Sequence, residues 1–317
     1  MKDLGENSGN SGKFQDPLVT ADGAPRASVA LSHAETLWFN TGTLCNITCA
    51  NCYIDSSPTN DSLVYLTADE VSDYLDQIEA RDWPIREIGF TGGEPFMNPA
   101  MIEMARRSLK RGYEVLILTN AMQPMMRPRV RAGLADLQKD FGNRLTLRVS
   151  LDHFERAHHD EERGTGSYDK TLEGMMWLRD AGIRMAVAGR TLWSDDEAQT
   201  RRGFAELFAR HSLDIDPENP AETVLFPEMD EAVPVPEITT ACWGILKKSP
   251  DSVMCASSRM VVKRRGAARP AVLACTLLPY DAQFELGTTL AEAERDVYLN
   301  HPHCAKFCVL GGASCSG

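Results

Sequence analysis

The stretch Glu35-Thr-Leu-Trp-Phe-Asn-Thr-Gly-Thr-Leu-Cys-Asn-Ile-Thr-Cys-Ala-Asn-Cys-Tyr53 runs from an apolar, strand-like segment straight into three cysteines. Cys45, Cys49 and Cys52 fall within eight residues, so one tight loop offers three thiolates in a Cys-x3-Cys-x2-Cys spacing. A structural zinc site closes with four protein ligands, and the common ferredoxin spacings place their cysteines differently and supply a fourth. Three thiolates leave one iron of a four-iron cluster unclaimed by protein, and an unclaimed iron is a place for chemistry. A zinc-binding loop is the alternative that three cysteines alone leave open.

The segment before the loop is the first of a series. From about residue 35 to 227, short β-branched or aromatic runs alternate with longer amphipathic stretches, the pattern of βα units around a parallel sheet. Six strands are expected, at 35–40, 86–91, 114–119, 145–151, 184–191 and 222–226, with helices near 68–80, 98–111, 127–140, 169–181 and 195–211. Thr67-Ala-Asp-Glu70 reads as a capping box for the first helix. Gly112 and Gly182 fall where the second and fourth helices should end. The fold class is therefore α/β, a partial (β/α)6 TIM-like barrel, whose ligands belong at the carboxyl ends of the strands. The cysteine loop starts just beyond the first of those ends.

At 317 residues the chain is long enough for a large α/β domain and an appendage. Its formal net charge of -12 disfavours a nucleic-acid partner. The local exception, Lys263-Arg264-Arg265, reads as a solvated hairpin tip. No apolar run approaches a membrane span and no apolar h-region opens the chain, so its nine cysteines are expected in a reduced, cytoplasmic compartment. The domains expected are a disordered arm over 1–30, a barrel over 31–228, a Pro- and acid-rich linker over 229–241 and a cysteine-rich domain over 242–317.

The cysteine spacing, with Tyr53 directly after Cys52, resembles the signature of the radical S-adenosylmethionine (radical SAM) enzymes. In that family the open iron of a [4Fe-4S] cluster chelates the amino and carboxylate groups of S-adenosylmethionine, and reductive cleavage yields a radical that removes a substrate hydrogen. Thr91-Gly-Gly-Glu-Pro95, at the end of the second strand, resembles the motif that holds the methionine amino group, which implies that role for Gly92, Gly93 and Glu94; taken alone it is also an ordinary strand-end turn. The resemblance implies contacts to the ribose and carboxylate from Asn120 and Ser150, at the ends of the third and fourth strands. It also implies that Arg163, in Glu162-Arg-Gly-Thr-Gly-Ser-Tyr168, pairs with the methionine carboxylate, the alternative being a solvated loop arginine. Asp152 shares the strand face of Ser150 and is the candidate substrate contact or proton acceptor. The segment from His153 to Glu162, with three histidines, reads as a substrate-facing or solvated loop, and a metal site there stays conceivable.

Beyond the linker, Cys255 and Cys275 bracket two strand-like runs around a basic turn, a β-hairpin that brings the thiols together. A helix near 290–299 then leads to Cys304, Cys308 and Cys315. This hairpin plus helix resembles the twitch or reduced SPASM extension of radical SAM enzymes, which implies an auxiliary [4Fe-4S] cluster on Cys255, Cys275, Cys304 and Cys308, with Cys315 able to replace one of them. Cys242 reads as a buried hydrophobe. Zinc on the same thiolates is the alternative. The implied protein is an oxidoreductase acting on a small molecule or, alternatively, crosslinking or epimerising a ribosomal peptide, with electrons from a reductant such as flavodoxin or ferredoxin. The absence of a visible leader-binding domain leans the reading to a small molecule. A non-catalytic metal-binding scaffold is the competing class.

Overall fold

The computed structural model describes residues 10, 12–193, 196–227 and 233–311. A two-residue strand β1 (Ser28–Val29) precedes the barrel strands β2 (Thr36–Asn40), β3 (Glu87–Thr91), β4 (Glu114–Thr119), β5 (Leu145–Ser150), β6 (Arg184–Arg190) and β7 (Thr223–Phe226). These six pair in parallel and in sequence order from β2 to β7, within a residue or so of the ends expected from the sequence. Their inward and outward residues are both buried, as a parallel sheet covered on two faces requires. Helices α1 (Ala68–Ala80), α2 (Met101–Lys110), α3 (Gln123–Met126), α4 (Pro128–Phe141), α5 (Arg156–Arg163), α6 (Ser167–Asp180) and α7 (Glu197–His211) lie between the strands. The capping box at Thr67 and Glu70 is present, and Gly112 and Gly182 take the left-handed conformations expected after α2 and α6.

Helix α5 departs from expectation. Its sequence, RAHHDEER, has no apolar stripe, and it buries His159 and Glu162 instead, so hydrophobic periodicity has nothing to detect. It places Arg163 at a helix end rather than in an open loop.

The C-terminal part is welded to the barrel. After a short helix α8 (Cys242–Leu246), the expected hairpin forms as β8 (Ser258–Val262) and β9 (Ala271–Leu273), antiparallel with Val261 opposite Val272. Strand β8 also pairs in parallel with β2, and β10 (Glu285–Gly287) adds to β9, giving one nine-stranded sheet in the order β10-β9-β8-β2-β3-β4-β5-β6-β7. The helix expected near 290–299 is replaced by a short 3-10 turn at Glu292–Glu294 and by β11 (Val297–Tyr298). Glu292 accepts the amides of Thr288 and Thr289, and β11 pairs with β1; tertiary pairing overrides local helix propensity. The helical segment is displaced to a π-helical turn over Cys304–Leu310.

The described part of residues 1–30 is not a disordered arm. Arg26 is buried, pairs with Glu237 at 2.5 Å, and donates to Val19 O and Asp16 O. Glu237 in turn accepts the amides of Phe14 and Ala21 at 2.7 Å. The described part of the expected linker, from 233 on, is thereby packed against the N-terminal residues, with Val235 and Ile238 buried. Nor is the basic turn free: Lys263, Arg264 and Arg265 pair with Glu70, Glu285 and Asp61. No helix among the described residues is long and apolar enough to cross a membrane.

Helix α6 positions the end of β4 through a close contact at Gly174, where an added Cβ would lie inside van der Waals distance of Ala121 O. Ala121 itself has φ +56°, and Thr171 of the same helix donates to Asn120 O at 3.1 Å. Gly174→Ala is expected to destabilise the fold by about 1–3 kcal/mol through overpacking against backbone, read as a lowered Tm. An unchanged melting profile would show that this contact does not set the position of Asn120.

Candidate active site

The cysteine loop is seated backbone to backbone on the end of β3. Thr41 N donates to Thr91 O at 2.8 Å, Gly93 N to Gly42 O at 2.9 Å and Glu94 N to Leu44 O at 3.1 Å. A Cβ on Gly92 would fall within 3.0 Å of Gly42 O, and one on Gly93 within 3.0 Å of Leu44 O. Gly92 also has φ +138°, which side chains rarely adopt. The two glycines thus admit the cysteine loop, whatever else they admit.

Above this seat opens a cleft between the cysteine loop and the carboxyl ends of the strands. Cys45, Cys49 and Cys52 all line it, together with Tyr53, Gly92 and Gly93. From the following strand ends come Asn120, Ser150 and Asp152, and from α5 comes Arg163. Nearly every barrel residue singled out in the sequence is therefore brought to one cavity. Asn120 reaches the cysteine loop directly, its Nδ2 donating to Asn46 Oδ1 at 2.9 Å.

Glu94 is the exception. It does not line the cleft and is only 2% exposed. Its carboxylate accepts from Phe96 N, Asn120 N and Thr119 Oγ1 at 2.9–3.1 Å, bracing the ends of β3 and β4 behind the wall. Burial pushes its pKa up to about 7, against those three donors. Gly92 and Gly93 present backbone to the cleft where the side chain of Glu94 was expected.

Asp152 differs from expectation as well. Arg163 grips it with Nε at 2.6 Å and Nη2 at 3.0 Å, and Arg190 Nε lies 3.5 Å away. Burial alone would raise its pKa; Arg163, then Arg190 and His159, outweigh that and hold the carboxyl below the ordinary carboxylate range. So depressed, Asp152 is a poor proton acceptor at neutral pH. Burial likewise opposes the charge on Arg163, but Asp152, Cys49 and Glu162 outweigh it and keep the guanidinium's pKa above its ordinary value. The same cluster anchors the cysteine loop: Glu162 accepts from Asn51 N at 2.9 Å and Asn51 Nδ2 at 2.8 Å, lies 3.4 Å from Arg190, and its carbonyl takes Ala50 N at 2.8 Å. Arg190, Glu162 and Asn51 went unnoticed in the sequence because nothing local marks them.

The three thiols suit a metal centre. Burial pushes Cys45 up to about 12 and raises Cys49, with Arg163 pulling Cys49 partly back. Cys45 and Cys49 so raised stay protonated until a cation sits beside them, and binding one releases their protons. The conceivable second metal site is a ring cluster: His158 stacks on Trp193, His153 meets both edge-on, and His153 Nδ1 accepts Glu155 N at 3.0 Å. Glu155 completes a trio of possible ligands with the two histidines, but that amide occupies the His153 lone pair.

Cys255, Cys275, Cys304 and Cys308 line a second cavity of about 310 Å³, otherwise mostly apolar, with His303 at its edge. Cys315 lies outside the described residues. Cys242 is half-buried and accepts Thr239 N at 3.4 Å, away from this group. No disulfide joins the described cysteines. Leu277 lines both cavities, and Thr276 and Phe307, presented by the cysteine-bearing segments, line the first. Tyr280 also reaches the cysteine loop, donating to Ile54 O at 2.8 Å. Arg259, buried beside Cys255, has its pKa lowered by burial to about 10 and stays charged at neutral pH.

Asp152→Asn tests its role. Removing one partner of a buried ion pair costs about 3–5 kcal/mol, so a large fall in Tm is expected. Because the folded pKa is depressed, this stabilisation is fully present above the ordinary value of about 3.9 and is lost only as pH falls through the lower folded value. The deficit of the variant should therefore be constant between pH 6 and 8. A variant of unchanged Tm whose pH–rate profile shifts in that window would restore Asp152 as a proton acceptor.

A family model described as the Radical SAM superfamily matches residues 39–202, just over half of the chain. The chain is 29% identical over 177 residues to the antilisterial bacteriocin subtilosin biosynthesis protein AlbA of Bacillus subtilis, covering 54% of this chain and 37% of that protein. It is 31% identical over 146 residues to the AdoMet-dependent heme synthase of Methanosarcina barkeri, covering 45% of this chain and 38% of that one. The chain thus spans under two fifths of the length of these curated relatives. Its fold matches crystal structures of Streptococcus suis SuiB, bound to S-adenosylmethionine and to the precursor peptide SuiA, with TM-scores of 0.58 and 0.57 at 12% and 11% identity, over 81% of this chain and 63% of SuiB. With three thiols at the carboxyl end of the first barrel strand and a family model that matches from that strand through the fifth, the chain belongs to the radical SAM superfamily.

Proposed function

We propose that this radical SAM enzyme oxidises or crosslinks a side chain of a peptide substrate, aided by an auxiliary [4Fe-4S] cluster on Cys255, Cys275, Cys304 and Cys308. The carrying observation is the shared wall. Leu277 belongs to both cysteine-lined cavities, so an electron acceptor in the second would lie next to substrate in the first. The loaded centre at Cys45, Cys49 and Cys52 supplies one-electron cleavage of S-adenosylmethionine and abstraction of a substrate hydrogen. The chain's own residues do the rest. Gly92 and Gly93 offer backbone to the methionine end, Asn120 and Ser150 offer polar side chains to the ribose and carboxylate, and Tyr53 stands at the mouth. The Arg163 and Arg190 cluster holds the loop in place. Leu118, Ala188, Phe226, Pro227 and Phe307 make a mostly apolar wall, which excludes water from a reactive intermediate and favours an apolar or aromatic group as the target.

Sequence alone leaned towards a small molecule. The sequence similarity to a bacteriocin biosynthesis protein and the fold shared with an enzyme solved on its precursor peptide support a peptide instead. A small molecule is the second reading, favoured by the similarity to a heme synthase.

Anaerobic reconstitution followed by iron and sulfide quantification, and dithionite reduction with S-adenosylmethionine, tests the proposal. About eight irons per chain, four for each thiolate-held cluster, with release of deoxyadenosine, is the expected result. Cys49→Ala should abolish deoxyadenosine formation, whereas Cys275→Ala should keep reductive cleavage and about half of the iron but lose product. About four irons with zinc in the tail would overturn the auxiliary cluster. Cleavage undiminished in Cys49→Ala would overturn the assignment of the catalytic loop.

A further inference from the structure

We infer that Arg259 is the fixed counter-charge of the auxiliary cavity, a positioning residue that sets the potential at which a cluster held there takes up an electron. This rests on the iron–sulfur reading of that cavity.

Arg259 sits on β8, is 1% exposed, and is among the largest fully buried side chains of the protein. Every hydrogen bond it makes goes to a backbone carbonyl: Nη1 to Cys255 O at 2.6 Å and Ser258 O at 2.8 Å, Nε to Ala293 O at 2.9 Å, and Nη2 to Arg295 O at 3.4 Å. Among the described residues no carboxylate comes within 4.0 Å of it. Buried Arg26 has Glu237, and half-buried Arg163 has Asp152, each at ion-pair distance. A buried charge is costly unless paired, and carbonyl dipoles supply only part of what a carboxylate would.

The missing anion lies across Cys255. Arg259 Nη1 holds that residue's carbonyl, while its thiol lines the cavity with Cys275, Cys304 and Cys308. The rest of that lining is apolar, Val253, Leu278, Phe284 and Leu299 among it, apart from His303. Without anionic sulfur in the cavity, the charge partner of Arg259 is Asp296, which lies beyond ion-pair distance. With four thiolates on a cubane, the centre carries net negative charge, and the guanidinium is compensated. One-electron reduction adds a further negative charge and makes no bond, so a fixed cation beside the cluster favours the reduced state and raises the potential. Net charge and neighbouring hydrogen bonds are among the levers that set iron–sulfur potentials. A raised potential is what an acceptor of a substrate-derived electron requires.

The test is a redox titration followed by electron paramagnetic resonance on the full-length chain carrying Cys45→Ala, Cys49→Ala and Cys52→Ala, so that only the tail cluster contributes. Iron and sulfide content comes first: zinc or the absence of a reducible cluster with Arg259 intact would overturn the cluster reading itself. Given a cluster, Arg259→Gln, which removes the charge and keeps one donor group, should shift the midpoint to more negative potential at unchanged iron content. Arg259→Met should do the same, while Arg259→Lys should stay near the unsubstituted value. Should Gln and Met both prevent folding, Lys still decides, because charge is what it preserves and the four-carbonyl grip is what it loses. A midpoint that does not move in Gln or Met, or that moves as far negative in Lys, would overturn the inference.

Discussion

The seating of the cysteine loop on the turn after β3 is the constraint on which the rest of the site depends. Residues 41–44 and 91–94 exchange backbone hydrogen bonds across a gap that accepts no Cβ. Three thiols can present one face to a cavity only if their loop cannot drift. Two glycines buy that proximity at the cost of chain entropy, and Glu94 recovers rigidity by tying the turn to the amides of Phe96 and Asn120. The far side of the loop is held by different means, through Asn51 on Glu162. Backbone contacts on one flank and buried charge on the other leave the thiols between them.

The buried charges follow a consistent logic. Asp152, Glu162, Arg163 and Arg190 form two anions and two cations in one cluster beside Cys49. Such a group is stable only as a whole, since removing one member strands another. Its net neutrality leaves any charge change at the loop to the thiols and what they bind. His159 fits the same scheme: burial lowers it to about 4 and Arg163 adds to the effect, so it is neutral at pH 7 and its Nδ1 can accept Asp152 N at 3.2 Å.

Much of this was legible in the sequence, for reasons that particular residues show. The barrel strands announce themselves because their faces are mostly buried and their centres are apolar, as in Val115–Leu118 of β4. Cysteine spacing and strand-end polar residues locate the cleft because topology carries every carboxyl end to one rim. What escaped depends on contacts between distant positions. Strand β8 joins β2 more than 200 residues away in sequence, and no local pattern specifies a parallel neighbour. Helix α5 hides because its buried face is polar. The partners of Glu94 and Asp152 escaped for a related reason: a carboxylate near a ligand site looks unengaged until the Asn120 and Phe96 amides, or Arg163, are placed beside it.

The weld between β8 and β2 changes what the C-terminal segment can be. A separately folded appendage on a linker would hold its thiols at a variable distance from the cleft. Here the hairpin that carries Cys255 and Cys275 at its ends is the continuation of the same sheet that carries the cysteine loop, and Tyr280 bonds that loop at Ile54 O. Thr276 and Phe307 line the cleft while Cys275 and Cys308, their chain neighbours, line the second cavity with Cys304. Filling that cavity with metal would therefore stiffen one side of the cleft through covalent neighbours, in addition to any electron it accepts. The cleft and the second thiol cavity share Leu277 and draw on adjoining residues of the same two segments, so a change at that seam reaches both.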